Sequence, residues 1–364
     1  MPSLLPQVDP DGLLEYSVVY TDRALNHMSA RFQGVMRDIS AMLKQAYAAR
    51  SAIVIPGSGT FGMEAVARQF ATGQPVLVIR NGFFSYRWTQ ILDAGAIPAS
   101  STVLKARRSS DTQQAPFAPP PVDEVLATIA RDKPQVVFAP HVETASGIIL
   151  PDAYLKAVAD ATHAVGGLFV LDCIASGAMW VDMRATGVDV LVSAPQKGWS
   201  GSPGCAFVML SERARERIDA TTSSSFACDL KRWLQIMEAY EGGGHAYHTT
   251  MPTDGLLHTR DAMRETQARG WDTVRRQQQA LGDAVRATLE RRGFRSVAAD
   301  GFKAPGVVVS YTDDDGIHSS KAFAPLGLQT ASGVPLMCDE PKDFKTFRLG
   351  LFGLDKLGDV DRSE

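Results

Sequence analysis

The sequence predicts an α/β protein: a large domain with a mostly parallel central sheet flanked by helices, then a smaller C-terminal α+β domain. Three observations predict it. Short apolar runs recur between residues 52 and 210. They are near-continuous rather than alternating, which marks strands covered on both faces. Helical stretches separate them, as crossovers between parallel strands require.

In chain order, residues 1–20 read as an irregular arm and 29–48 as an amphipathic helix. "AIVI" (52–55) is the first strand, with a helix at 60–71 after it. "VLVI" (76–79) leads into a helix at 84–95. "KARRSSDTQQAPFAPPP" (105–121) is polar and proline-rich, a surface excursion. A helix at 122–131 precedes "VVFA" (136–139), and one at 151–165 precedes "LFVLD" (168–172). "DVLVS" (189–193) and "CAFVML" (205–210) complete the set, followed by a helix at 211–219 and a loop at "TTSSS" (221–225). From Asp254 to Arg292 the pattern is one long charged helix, ended by Gly293. "GVVVSY" (306–311), a helix near 317–325 and a strand near 345–351 form the smaller domain. The expected divisions are an arm (1–20), a large domain (21–253) and a small domain (254–364), with no internal repeat.

The net charge of −3 argues against nucleic acid or an anionic membrane as partner. No apolar run approaches the ~20 residues that span a bilayer. The opening "MPSLLPQVDPDG" lacks the basic and apolar regions of a secretory signal. The four cysteines are scattered without a C-x-x-C pair, which points away from disulfides and zinc and fits a reducing cytoplasm.

Four places carry chemistry. "IPGSGTFGMEA" (55–65) follows a strand and opens a helix, so its amides, Ser58 and Thr60 suit an anion. A tight turn with a helix cap would also explain it. The same glycines spell G-x-G-x-x-G, but the next strand ends in Arg80 and Asn81 rather than an acid, which leaves only a 2′-phosphate dinucleotide open. Asp172 ends an apolar strand, where a carboxylate is costly unless something meets it. In "VLVSAPQKGWSGSPG" (190–204), Lys197 stands at the mouth of a strand among turn-forming residues. In "TFRLGLFG" (346–353), Arg348 sits in an apolar run, suited to a bidentate carboxylate contact or to a structural ion pair. Each signal is weak alone. In this order they match the needs of one ligand, pyridoxal phosphate: a phosphate, a basic ring nitrogen, and an aldehyde that condenses with lysine. Its amino-acid substrates bring a carboxylate for the arginine.

The motifs "GSGTFGMEA", "RNGFFSYRW", "HVETASG", "VLDCIASGA", "SAPQKG", "YHTT" and "FRLG" resemble those of the class V aminotransferases of fold type I. Nearest is the alanine–glyoxylate and serine–pyruvate branch. The resemblance covers Arg31 to Gly353. It implies a fold type I PLP-transferase that is homodimeric, shares its active site across the interface, and moves an amino group from a small amino acid to a 2-oxo acid. It implies that Lys197 is the Schiff-base lysine and Asp172 the partner of the ring nitrogen. Ser58, Gly59, Thr60 and Gln196 match phosphate ligands. Phe84 matches the aromatic residue over the ring, and Ile174 the apolar residue beneath it. Thr144 matches a hydroxyl near the phenolic oxygen. Tyr247 and Thr250 match a pair that reaches the partner subunit's phosphate, and Arg348 the substrate-carboxylate arginine. No metal is expected, although Glu241, His245 and His248 lie close in sequence.

The family's N-terminal Gly-Pro turn is replaced by "DPDGLLEYSVVYTD", where Asp9, Glu15, Tyr16 and Tyr20 are candidates to reshape the pocket. The alternative activity is that of a class V cysteine desulfurase or lyase, with Cys338 as the candidate nucleophile.

Overall fold

A computed structural model describes residues 7–359; residues 1–6 of the expected arm and the last five residues lie outside them. The central sheet has seven strands: β1 (Ser51–Pro56), β2 (Pro75–Arg80), β3 (Ser100–Lys105), β4 (Val136–Pro140), β5 (Leu168–Asp172), β6 (Val190–Ser193) and β7 (Cys205–Leu210). Their spatial order is β1-β7-β6-β5-β4-β2-β3. β7 runs antiparallel to both neighbours and every other pairing is parallel. The carboxyl ends of β1, β2, β4, β5 and β6 therefore lie on one edge. The direction of winding reverses between β2 and β4, the kind of crevice in which α/β sheets bind ligands.

The helices are α1 (Ala30–Tyr47), α2 (Gly59–Phe70), α3 (Phe83–Ala94), α4 (Val122–Asp132), α5 (Asp152–Ala164), the one-turn α6 (Met183–Thr186), α7 (Glu212–Asp219), α8 (Leu230–Glu241), α9 (Thr253–Arg269) and α10 (Trp271–Arg291). Those that cover the sheet bury the apolar face their sequence offers. α1, for example, seals Phe32, Val35, Met36, Ile39 and Leu43. Ser29 caps α1 by accepting from Phe32 N–H.

Beyond α10, β8 (Val307–Tyr311), β9 (Ala331–Ser332) and β10 (Thr346–Gly350) form an antiparallel sheet in the order β8-β10-β9. Its core joins Val307, Val309 and Tyr311 to Ala106, Phe117, Val142 and Ala145. Phe83, Phe84 and Phe352 pack on that second core, so it abuts the carboxyl edge of the main sheet.

Three expectations change. The long helix over 254–292 is two helices, because Gly270 adopts φ 86° and breaks the ladder between α9 and α10. The helix near 317–325 is a single turn at Asp315–His318 and a 3₁₀ turn at Ala324–Leu326. Among the additional elements are β3, a half-exposed edge strand, and α8, capped by Asp229 and buried through Trp233, Met237 and Tyr240.

Candidate active site

β5 delivers Asp172 to the carboxyl edge, where the side chain is buried. Its Oδ1 accepts from Ile174 N–H at 2.9 Å. Burial pushes its carboxyl up to about 6; the Ile174 hydrogen bond and the Lys197 ammonium oppose that rise, and the Glu143 carboxylate adds to it. Lys197 follows β6. Burial pushes its ammonium below the ordinary lysine value, against the pull of Asp172 and Glu143. Among the described residues its Nζ makes no ion pair within 4 Å. It lies 5.9 Å from the Phe84 ring centre and 5.8 Å from that of Phe352.

Gly198 explains how this lysine is aimed. A Cβ there would stand 2.2 Å from the Gly177 carbonyl oxygen, so two backbone segments touch where any side chain would separate them. Behind the loop, Trp199 stacks at 4.6 Å on Trp180, and both meet Trp271 of α10 and Tyr47 of α1. These rings anchor the turn that carries the amine.

β1 runs into α2 through Gly57 (φ 122°). Ser58 occupies the N-cap of α2 without a side-chain capping bond, and Gly62 N–H is the first to bond back, to the Ser58 carbonyl. The amides of Gly59, Thr60 and Phe61 have no partner among the described residues, so they are free for an anion. Gly59 packs closely against Ile174: a Cβ would meet Ile174 Cδ1 at 2.5 Å, so that side chain would have to turn away.

Phe84 lies in the first turn of α3, with three cations around its ring. Besides Lys197, the Arg348 guanidinium is 5.6 Å and that of Arg87 5.5 Å from the ring centre. Arg348, on β10, donates from Nε to the Ser332 carbonyl at 2.8 Å and has no ion pair within 4 Å among the described residues. The structural ion pair is therefore not what it makes, and its outer nitrogens remain available. Thr144 Oγ1 is buried without a hydrogen-bond partner.

Gln196 is exposed beside the lysine. Tyr247 and Thr250 bond to each other at 3.2 Å on an exposed loop, where Tyr247 stacks on His27. No hydrogen bond or ring contact among the described residues joins that pair to Ser58, Thr60 or Lys197 of the same chain.

Sequence reasoning singled out neither Arg87 nor Glu143. Arg87 donates to Thr60 Oγ1 at 3.0 Å, beside the free amides of α2. Glu143 is fully buried and holds the start of α3. The one signal available was their place within motifs already noted, "RNGFFSYRW" and "HVETASG".

Other expectations find concrete partners. Arg80 lies 4.5 Å over the Tyr86 ring and bonds to Thr89 and the Met337 carbonyl, so it is not waiting for a 2′-phosphate. Cys338 is buried, its thiol pushed up to about 12 by that burial, the reverse of a mobile nucleophile. Glu241 accepts from Ser40 and Lys44, and His248 bonds the Phe226 carbonyl. Asp9, Glu15 and Tyr16 line a cavity of about 600 Å³ between the arm and α1, while Tyr20 bonds the Met251 carbonyl. Among the described residues no lysine, arginine or histidine lines that cavity, whereas the strand ends gather Lys197, Arg87 and Arg348 around Phe84.

The residues at that edge fit pyridoxal phosphate: unpartnered helix-start amides for a phosphate, an orphaned hydroxyl, and a buried carboxylate within electrostatic reach of a half-buried amine. A fold of this kind with such an edge describes a PLP-dependent transferase. The family follows from comparison with known proteins. The family model described as "Aminotransferase class-V" matches residues 11–321, and the chain belongs to that family. It is an aminotransferase, with pyridoxal phosphate as its cofactor.

A Synechococcus protein named "Soluble hydrogenase, small subunit" is 29% identical over 78% of this chain and 71% of its own. The alanine–glyoxylate aminotransferase of Oryctolagus cuniculus is 25% identical over 93% of this chain and 84% of its own. The crystal structure of an alanine–glyoxylate aminotransferase from Nostoc superposes with a TM-score of 0.78 at 21% identity, covering 92% of this chain and 86% of that one.

Proposed function

We propose that the protein moves the amino group of a small amino acid, alanine- or serine-like, to a 2-oxo acid such as glyoxylate or pyruvate, in two successive half-reactions. The observation that carries this reading is the half-buried Lys197, near the Phe84 and Phe352 rings and within electrostatic reach of the buried Asp172, with Arg348 free to take a carboxylate. Relatives named for alanine–glyoxylate and L-aspartate–glyoxylate transamination support the substrate class.

Ser58, Gly59, Thr60 and Gln196 would hold the phosphate, with the α2 dipole behind them. Phe84 and Ile174 would bracket the ring, and Thr144 Oγ1 would meet its phenolic oxygen. When bound, the cofactor supplies an electron-accepting ring that stabilises negative charge left at the substrate's α-carbon. Asp172 Oδ2, without a hydrogen bond among the described residues, would face the ring nitrogen and keep it protonated by opposing charge. Lys197 Nζ, whose burial favours the neutral amine, accepts the α-proton and later returns it. Arg348 orients the α-carboxylate with its free guanidinium edge.

The same reading includes a homodimer with a shared active site. Tyr247 and Thr250 would cross the interface to the phosphate of the other subunit, and the exposed Tyr16, Val18 and Phe226 support a covered surface. It also includes a cytoplasmic location, supported by four free cysteines. Among the described residues no helix is long and apolar enough to cross a membrane.

The test uses the holoprotein with single amino acids. The absorbance of the bound cofactor is recorded as each is added, and the keto acid released is measured. Small neutral donors are expected to change the spectrum, and glyoxylate or pyruvate to reverse it. A Lys197→Ala protein that still turns over donor would end the reading.

A further inference from the structure

We propose that Glu143 is a positioning residue that locks the Phe84 ring and the Thr144 hydroxyl into one rigid frame around the cofactor. This rests on the function proposed above. Glu143 belongs to a short hairpin, Val142–Glu143 against Ile148–Ile149, just past β4. Its carboxylate is fully buried, with no cation within 4 Å among the described residues.

Four donors converge on it. Oε1 accepts from Phe84 N–H at 3.2 Å and Ala145 N–H at 2.9 Å. Oε2 accepts from Ser85 N–H at 2.8 Å and Ser85 Oγ at 2.7 Å. Two of these are amides in the first turn of α3, which have no partner inside the helix. The N-cap of α3 is Gly82, which has no side chain to satisfy them. That glycine is needed for the arrangement, since a Cβ there would stand 2.6 Å from Glu143 Cγ. The cap therefore comes from another segment, reaching over a glycine that makes room for it.

A serine or aspartate at position 82 would have capped α3 locally. The non-local cap does something a local one cannot. One carboxylate binds the backbone of Phe84 and that of Ala145, with Thr144 next to Ala145 in sequence. The ring expected over the cofactor and the hydroxyl expected at its edge are thus fixed relative to each other through one oxygen, Oε1, while Oε2 ties down Ser85 in the same helix turn. Lone burial of a charge is costly, and here four hydrogen bonds offset that cost. A carboxylate accepts on both oxygens, whereas a carboxamide presents an NH₂ to donors. Glutamine at 143 keeps one oxygen for Phe84 and Ala145 but turns its NH₂ toward Ser85 N–H, so it reproduces only part of the frame and pushes the first turn of α3 away. The charge itself also acts on the site, favouring the protonated forms of Asp172, Lys197 and Arg348.

The test compares wild-type, Glu143→Gln and Glu143→Ala proteins on four readouts: apoprotein thermal midpoint, pyridoxal phosphate affinity, circular dichroism of the bound cofactor, and kcat against KM. Misplacement of reacting groups by a fraction of an ångström to one ångström predicts a fall in kcat of about tenfold to a hundredfold for Glu143→Gln. KM should stay within about threefold, because Arg348 is untouched. The dichroism of the bound cofactor should change as the ring is retilted, and affinity should weaken about tenfold. If the glutamine variant matches wild type in dichroism, affinity and kcat, the inference is wrong. If its losses only track a lowered thermal midpoint, with unaltered dichroism and kcat per folded protein, Glu143 is a cap and nothing more. A wild-type protein that binds no pyridoxal phosphate would sink the proposed function along with this inference, whereas wild-type binding with an indistinguishable variant sinks the inference alone.

Discussion

Replacing Asp172 by asparagine should stabilise the cofactor-free protein while disabling the enzyme. The ionised carboxylate is held at a buried strand end, and its pKa rises from 3.8 to about 6. At ~1.36 kcal/mol per unit, that displacement costs folding about 3 kcal/mol once the group is ionised. The sign follows from which state holds the proton longer. Between about pH 4 and pH 6 the unfolded chain ionises this carboxyl while the folded chain still protects it, so its contribution to stability falls as pH rises. Above pH 6 the whole penalty is present. Asparagine keeps an oxygen for the Ile174 amide and carries no charge, but its NH₂ needs a partner, so about 2 kcal/mol of the gain should remain. For a chain of 364 residues this is about 3 °C in thermal midpoint. Urea unfolding of apoproteins at pH 7.5 and pH 4 reads it: Asp172→Asn should be more stable at the higher pH and nearly equal to wild type at the lower. With cofactor restored, transamination should fall by at least about a hundredfold, as the ring nitrogen loses its counter-charge. An asparagine variant less stable than wild type at pH 7.5, or a gap independent of pH, would refute the reasoning.

Arg348→Gln should raise KM for donor and acceptor about tenfold to a hundredfold, with pyridoxal phosphate affinity unchanged; steady-state kinetics and cofactor titration separate the two. Gly198→Ala forces a methyl against the Gly177 carbonyl, so the Lys197 turn must shift. Denaturant unfolding should show a loss of about 1–3 kcal/mol, and kcat should drop further than stability explains.

The sheet was legible because buried parallel strands write their identity in unbroken apolar runs, and "LFVLD" and "CAFVML" match β5 and β7 residue for residue. β3 was not, because an edge strand half open to water carries only Val103 and Leu104 as an apolar signal. The break at Gly270 was written in the sequence, but the charged pattern continues smoothly across it. α8 also carried its signal, with Leu230, Trp233, Leu234, Met237 and Tyr240 at helical spacing. At the site, motif order offered Asp172, Lys197 and Arg348 as candidates. Glu143 and Arg87 could not, because their importance lies in what they touch across the fold.

The position of β1 has a consequence for biosynthesis. β1 pairs only with β7, Ser51 opposite Leu210, at the far rim of the sheet. Its apolar segment leaves the ribosome long before its complement exists, at ~5–20 residues per second a delay on the order of ten seconds or more. During that interval "AIVI" is an unmatched, sticky ribbon, a natural client for a chaperone. Because the turn with the free α2 amides grows directly out of β1, a cofactor held there could be gripped only after that late closure.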